Sequence, residues 1–141
     1  MKLKVLVVED NKALNRNISL MLKKEGFSPS SAFDIDEAKE KFISVKPHVV
    51  LLDIMLPGGD GRDLVSLFRD DPELIIIMLT AISDDGSKDS AYRGGADDYI
   101  TKPFSLREIA FKLRAIERRL LYASAIYRIG DVEFDIETGR L

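Results

Sequence analysis

Three carboxylates, a hydroxyl and an ammonium stand at the ends of apolar runs in this chain of 141 residues. Glu9 and Asp10 directly follow the run Leu3 to Val8, and Asp53 directly follows Val49 to Leu52. If those runs are neighbouring strands, the acids converge on one pocket and, uncompensated, repel one another. A hard divalent cation relieves that repulsion, and Mg²⁺ favours a few carboxylates completed by water and phosphate oxygens. Taken singly, an acid after a strand is as readily a turn or cap residue. Thr80 closes the run Leu74 to Leu79, with small Ala81 behind it, and Lys102 follows Tyr99-Ile100-Thr101. A lone lysine is ordinarily solvated and a lone threonine is an ordinary strand residue. In order along successive runs, however, the set suits phosphoryl transfer, which needs positioning and charge neutralisation above all. Neither GxxxxGK[ST] nor GxGxxG occurs, so binding of ATP through such a loop is not expected. Asp53 as a covalent phosphoryl acceptor is the natural alternative. Pro103 admits a cis bond after Lys102, one way to fix the direction of the lysine.

The elements that would position these groups are legible in the apolar pattern. Val49–Leu52 and Leu74–Leu79 are apolar on consecutive residues, the habit of strands covered on both faces. A further strand is expected over Phe27 to Ala32, at a sheet edge because Pro29 cannot donate to a ladder. Leu14, Ile18, Met21 and Leu22 share one helical face, with Gly26 as a stop. Ile35, Ala38, Phe42 and Ile43 repeat the pattern after a capping Asp34 and before Pro47. Leu64, Leu67 and Phe68 mark a third helix. A fourth pattern, about Ser87 to Arg93, is poor: Tyr92 is its one anchor and Gly94 and Gly95 follow. Ile109, Leu113, Ile116 and Leu120 form a strong last stripe, opened by a capping box of Ser105 and Glu108. The resulting βαβαβαβαβα order predicts an α/β fold with a doubly wound five-stranded parallel sheet and helices on both faces. Ligands of such sheets bind at the carboxyl ends of the strands.

Composition narrows the chemistry further. There is no Cys and a single His, which excludes thiolate chemistry, disulfides and a two-His zinc site within one chain. The net charge of −3 is the opposite of a generic nucleic-acid binder. No apolar run approaches the roughly 18 residues of a membrane helix, and the N-terminal run is too short for a signal peptide. A cytoplasmic protein with oxygen and nitrogen ligands is expected, with no membrane contact.

With these residues in order, the chain resembles the receiver domain of two-component response regulators. The likeness rests on VVED at Val7–Asp10, DIMLPGGDG at Asp53–Gly61, LTA at Leu79–Ala81 and GADDYITKPF at Gly95–Phe104, and covers about Lys2 to Leu121. It implies the flavodoxin-like strand order 2-1-3-4-5, and that Asp53 takes a phosphoryl group from the phosphohistidine of a sensor histidine kinase. Glu9, Asp10 and Asp53 would bind Mg²⁺, aided by the backbone carbonyl of Met55. Lys102 would contact the phosphoryl oxygens, Thr80 would hydrogen-bond the phosphoryl group, and Tyr99 would swing inward with it. Pro57 and Gly61 would shape the loop after the acceptor. The KPF ending and ADDY run are similar to the OmpR/PhoB subfamily. That likeness implies phosphorylation-dependent homodimers through the fourth helix, fifth strand and fifth helix, with Lys88, Asp97, Asp98, Glu108, Lys112 and Arg119 at the interface. Opposite charges on one patch suit a self-complementary two-fold contact. Lys112 replaces the commoner arginine there and loses its bidentate donor.

The segment from Tyr122 onward alternates at Val132, Phe134 and Ile136 and resembles the opening strands of that subfamily's winged-helix effector. The expected division is therefore a receiver domain over 1–122, then a linker and the first strands of a truncated DNA-binding domain over 123–141. Acids outnumber bases in that tail, so DNA contact is expected only through the missing part. An enzyme reading, a phosphatase of the haloacid dehalogenase type, needs a second acid two residues after the nucleophile, and Met55 stands there. The chain is thus read as a phosphoacceptor switch that assists its own phosphorylation, not as an enzyme. A stand-alone receiver is disfavoured by the tail. His48 is read as a loop residue. Ile82, apolar where many members of the family it resembles carry a polar residue, is expected to exclude the water that attacks a phosphoaspartate. Ile82→Asn should therefore shorten the lifetime of the acyl phosphate, followed by the decay of its mass shift; an unchanged lifetime would remove that role.

Overall fold

The computed structural model describes residues 2–81 and 95–137, and side chains through residue 123. The expectations for Ser87–Arg93, Ile82 and Lys88 lie outside the described residues. The chain divides into two compact units, Met1–Leu106 and Arg107–Leu141.

In the first unit, β1 (Lys4–Val8), β2 (Ser28–Ala32), β3 (Val49–Asp53), β6 (Ile75–Thr80) and β7 (Asp98–Thr101) form one sheet in the order β2-β1-β3-β6-β7. Every pairing is parallel. Counted along this sheet alone, that is the expected 2-1-3-4-5 order. Between β3 and β6 lies an extra antiparallel pair, β4 (Met55–Leu56) with β5 (Gly59–Asp60). Its turn is Pro57-Gly58, and Gly58 has φ 90°, the Pro-then-positive-φ arrangement of a type II turn.

Burial explains the strand runs. Residues 49–53 are all buried. On one face Leu6, Val8, Val50, Leu52, Ile76 and Met78 join a cluster with Ala38 of α2 (Ile35–Val45) and with Leu64, Val65 and Phe68 of α3 (Arg62–Phe68). Phe42 and Phe68 pack with ring centroids 4.6 Å apart, a tilted aromatic contact between the two helices. The opposite face is covered by α1 (Lys12–Lys24), which buries Ile18 and Leu22.

Local signals act as read. Asp34 caps α2, its side chain accepting from the Glu37 N–H at 2.8 Å. The helix stops at Lys46 in the left-handed region, φ 52°, one residue before Pro47. Pro29 lies on the edge strand. Ser28 N–H donates to Leu3 and the Ala32 carbonyl accepts from Glu9, so alternation turns Pro29 outward. Its missing N–H therefore falls on the edge that has no neighbouring strand.

The second unit departs from expectation. One helix, α4, runs Leu106–Glu137, with Ser105 at its N-cap position. Ile109, Leu113 and Ile116 are buried, as their spacing predicts. The expected strands around Val132, Phe134 and Ile136 are absent; residues 122–137 continue the helix. A strand leaves its backbone groups in need of a neighbour, whereas a helix satisfies them within itself. Alternation without a paired strand therefore does not make one. Among the described residues, no helix is long and apolar enough to cross a membrane.

His48 is more than a loop residue. It is half-buried, and its Nδ1 accepts the Lys4 backbone N–H at 2.9 Å, joining the starts of β1 and β3. Burial, then the charge of Lys4, holds its pKa below the usual 6.5. The folded state thus favours neutral His48, and this contribution is complete above pH 6.5 and is lost as pH falls below it toward the folded value. Urea unfolding on either side of that pH should show a smaller loss for His48→Asn, which keeps an acceptor, than for wild type. Equal losses would exclude His48 as the source.

Candidate functional site

The register of the sheet assembles the site. Val8 lies opposite Leu52, which carries Glu9 to the level of Asp53. Asp53 lies opposite Leu79, and Thr80 opposite Thr101, just before Lys102. Glu9, Asp53 and Thr80 are buried at 1%, 5% and 3% exposure, while Asp10 is exposed. One carboxylate oxygen from each of Glu9, Asp10 and Asp53 lies within 4.8 Å of the others. At about 4 Å, like charges repel by about 1 kcal/mol in water and about 4 kcal/mol at an effective dielectric of 20. Asp10, facing solvent, sits near the lower figure.

Lys102 supplies the opposing charge. Its Nζ donates to Glu9 Oε1 at 2.9 Å and to Asp53 Oδ2 at 3.2 Å. Burial pulls the Lys102 pKa down, but the hydrogen bond to Glu9 and the charges of Asp53 and Glu9 outweigh it, so the ammonium is held above its usual 10.5. The backbone fixes the lysine as well: Lys102 N–H donates to the Thr80 carbonyl at 2.6 Å. The Lys102–Pro103 bond is cis. The other carboxylate oxygens are also held. Asp53 Oδ1 accepts the Met55 N–H at 3.1 Å, and Glu9 Oε2 accepts the Asn11 N–H at 3.0 Å.

One ammonium does not compensate three carboxylates. Asp10 is largely exposed, yet the partial loss of water beside the cluster, then the hydrogen bond and charge of Glu9, raises its pKa above 3.8. The donor set is wholly oxygen and anionic, which fits a hard divalent cation such as Mg²⁺. Glu9, Asp10 and Asp53 would hold it.

Other predicted residues fall as follows. Tyr99 is half-buried against the core cluster. Gly61 precedes α3, and a Cβ there would overlap the Asp53 carbonyl, so only glycine fits. Met55 lies beside Asp53, its side chain 68% exposed. Of the expected interface charges, Glu108 and Arg119 are exposed on α4 and Lys112 is half-buried. Asp98 Oδ1 accepts the Tyr99 N–H at 2.8 Å. Asp97 is engaged within its own unit: Oδ2 accepts the Ile76 N–H at 2.8 Å and Arg69 Nη2 at 2.9 Å. Arg69 also donates to the carbonyls of Leu74 and Gly95. That tie, and the fully buried Asn15, were missed in the sequence, because neither residue type signals burial.

Residues 5–114 match the family model of the response regulator receiver domain. The chain belongs to this family. The receiver domain here is also similar to solved structures. It is 32% identical to a two-component response regulator from Clostridium difficile, with a TM-score of 0.81 over 84% of this chain and 98% of that one. It is 30% identical to the BeF3-activated DrrB receiver domain, TM-score 0.74, over 84% of this chain and 99% of that one. Against DrrB of Thermotoga maritima, described as an OmpR/PhoB homolog, identity is 31% and the TM-score 0.74; the match covers 84% of this chain and 54% of that one. The chain is thus the receiver domain of a two-component response regulator.

A carboxylate whose pKa is raised loses stability as pH rises through the folded value, so at neutral pH Asp10 opposes folding. Asp10→Asn should raise the thermal midpoint of the metal-free receiver. Mg²⁺ should raise the wild-type midpoint and leave that of Asp10→Asn nearly unchanged. A destabilised variant, or an equal Mg²⁺ response in both, would contradict the repulsion described.

Proposed function

We propose that Asp53 is the phosphoacceptor of this receiver, charged by the phosphohistidine of a sensor histidine kinase. The observation that carries the reading is the Lys102 ammonium held between Glu9 and the buried Asp53. An Asp53 carboxylate oxygen attacks phosphorus as the bond from phosphorus to the imidazole nitrogen breaks. The departing imidazole keeps the electron pair and becomes protonated. Bound at Glu9, Asp10, Asp53 and the Met55 carbonyl, Mg²⁺ would neutralise charge on the phosphoryl oxygens. Lys102 would do the same, exchanging carboxylate contacts for phosphoryl ones. Thr80, which closes β6, would donate its hydroxyl to the new group. Tyr99, already against the core, would follow the hydroxyl inward.

The chain acts on this reading as a switch and not as an enzyme. Its two states would differ in homodimerisation through Lys88, Asp98, Glu108, Lys112 and Arg119. Asp97 would first have to leave Arg69. The likeness to DrrB supports the OmpR/PhoB subfamily, and with it cytoplasmic control of transcription by a DNA-binding effector that follows the receiver at 1–122. Residues 5–114 of the family match lie inside that span.

Mg²⁺ and a small phosphodonor should add one phosphoryl mass to wild type and none to Asp53→Asn. Equal addition to both would remove Asp53 as the acceptor.

A further inference from the structure

Asn15 is a polar residue with no exposed surface. It lies on α1, one turn past the N-cap Asn11. Its Nδ2 donates to the carbonyls of Val7 at 3.2 Å, Glu9 at 3.0 Å and Ala32 at 3.2 Å. An amide carries only two hydrogens, so one is shared. Its Oδ1 accepts the Ser19 hydroxyl at 3.2 Å, which sets the amide's orientation. The side chain thus gathers the carboxyl ends of β1 and β2 beneath the acidic cluster.

The contact with Glu9 has a specific consequence. The Glu9 carbonyl shares a rigid peptide plane with the Asp10 nitrogen. Holding that oxygen fixes the direction in which the chain enters Asp10. The other two ligands have their own anchors: Glu9 is held by Asn11 N–H and Lys102, and Asp53 by Met55 N–H and Lys102. Asp10 has its own backbone amide and the Glu9 carboxyl among its hydrogen-bond partners, and neither ties it to another element. Its place depends chiefly on its backbone.

We propose that Asn15 is a positioning residue for the cation site, acting through the Glu9–Asp10 peptide. This rests on the reading of Glu9, Asp10 and Asp53 as cation ligands. Removal of a residue that orients a ligand typically weakens metal binding by about 10-fold or more.

The test is Mn²⁺ titration of the full chain, with free Mn²⁺ read by its paramagnetic resonance, alongside thermal unfolding. Asn15→Ala should bind Mn²⁺ about 10-fold or more weakly than wild type. Ile18→Ala removes an equally buried side chain from the same helix and should lower the thermal midpoint while leaving Mn²⁺ affinity intact. Asn15→Ser, whose single hydroxyl cannot serve three carbonyls, should weaken binding too and covers a failure of Asn15→Ala to fold. Wild-type affinity in either folded Asn15 variant would overturn the proposal, as would an equal loss in Ile18→Ala. If wild type itself fails to bind Mn²⁺, the cation reading falls and the role of Asn15 falls with it.

Discussion

The structure is organised around a repulsion. Glu9, Asp10 and Asp53 are brought within 4.8 Å of one another at the end of the sheet, two of them nearly without water. Such an arrangement opposes folding unless positive charge is supplied, and Lys102 supplies part of it at 2.9 and 3.2 Å. What remains uncompensated is negative charge of the kind a hard cation would neutralise. Stability is given up locally at the place where function needs charge, and the buried apolar strands below carry the difference.

The rest of the receiver serves to hold that arrangement still. Parallel register sets the level of each group along its strand, so the site depends on every pairing from β1 to β7. Backbone donors then aim the carboxylates: Asn11 and Met55 each give an N–H to an acid two residues away in sequence. Gly61 lets the loop after β5 close over the Asp53 carbonyl, where any side chain would collide. Away from the site, Arg69 and Asp97 tie α3 to the starts of β6 and β7, and His48 ties β1 to β3.

Much of this was legible in particular residues. Consecutive apolar runs announced strands covered on both faces, Pro29 announced the edge, and Asp34 announced a helix start. The acids and the lysine at the ends of runs announced the site. The antiparallel pair at Met55–Leu56 and Gly59–Asp60 was not foreseen, although Pro57-Gly58 carried its turn signal. Strands of two residues are too short to show a period. The alternation at Val132, Phe134 and Ile136 misled, because a strand is a property of two segments and alternation describes only one.

By itself the sequence determined which residues are apolar, where chains of them break, and which chemical groups stand at the breaks. These are local properties, and they sufficed for a parallel sheet and for Glu9, Asp10, Asp53, Thr80 and Lys102 at the ends of its strands. Only the tertiary structure decided what those groups touch. Whether Lys102 meets Glu9 depends on residues 93 apart in the chain. The engagement of Asp97 by Arg69 spans 28 residues, and Asn15 meets Ala32 across 17. Contacts of that range are set by strand register and helix docking, which are cooperative and leave no mark on the residues they join.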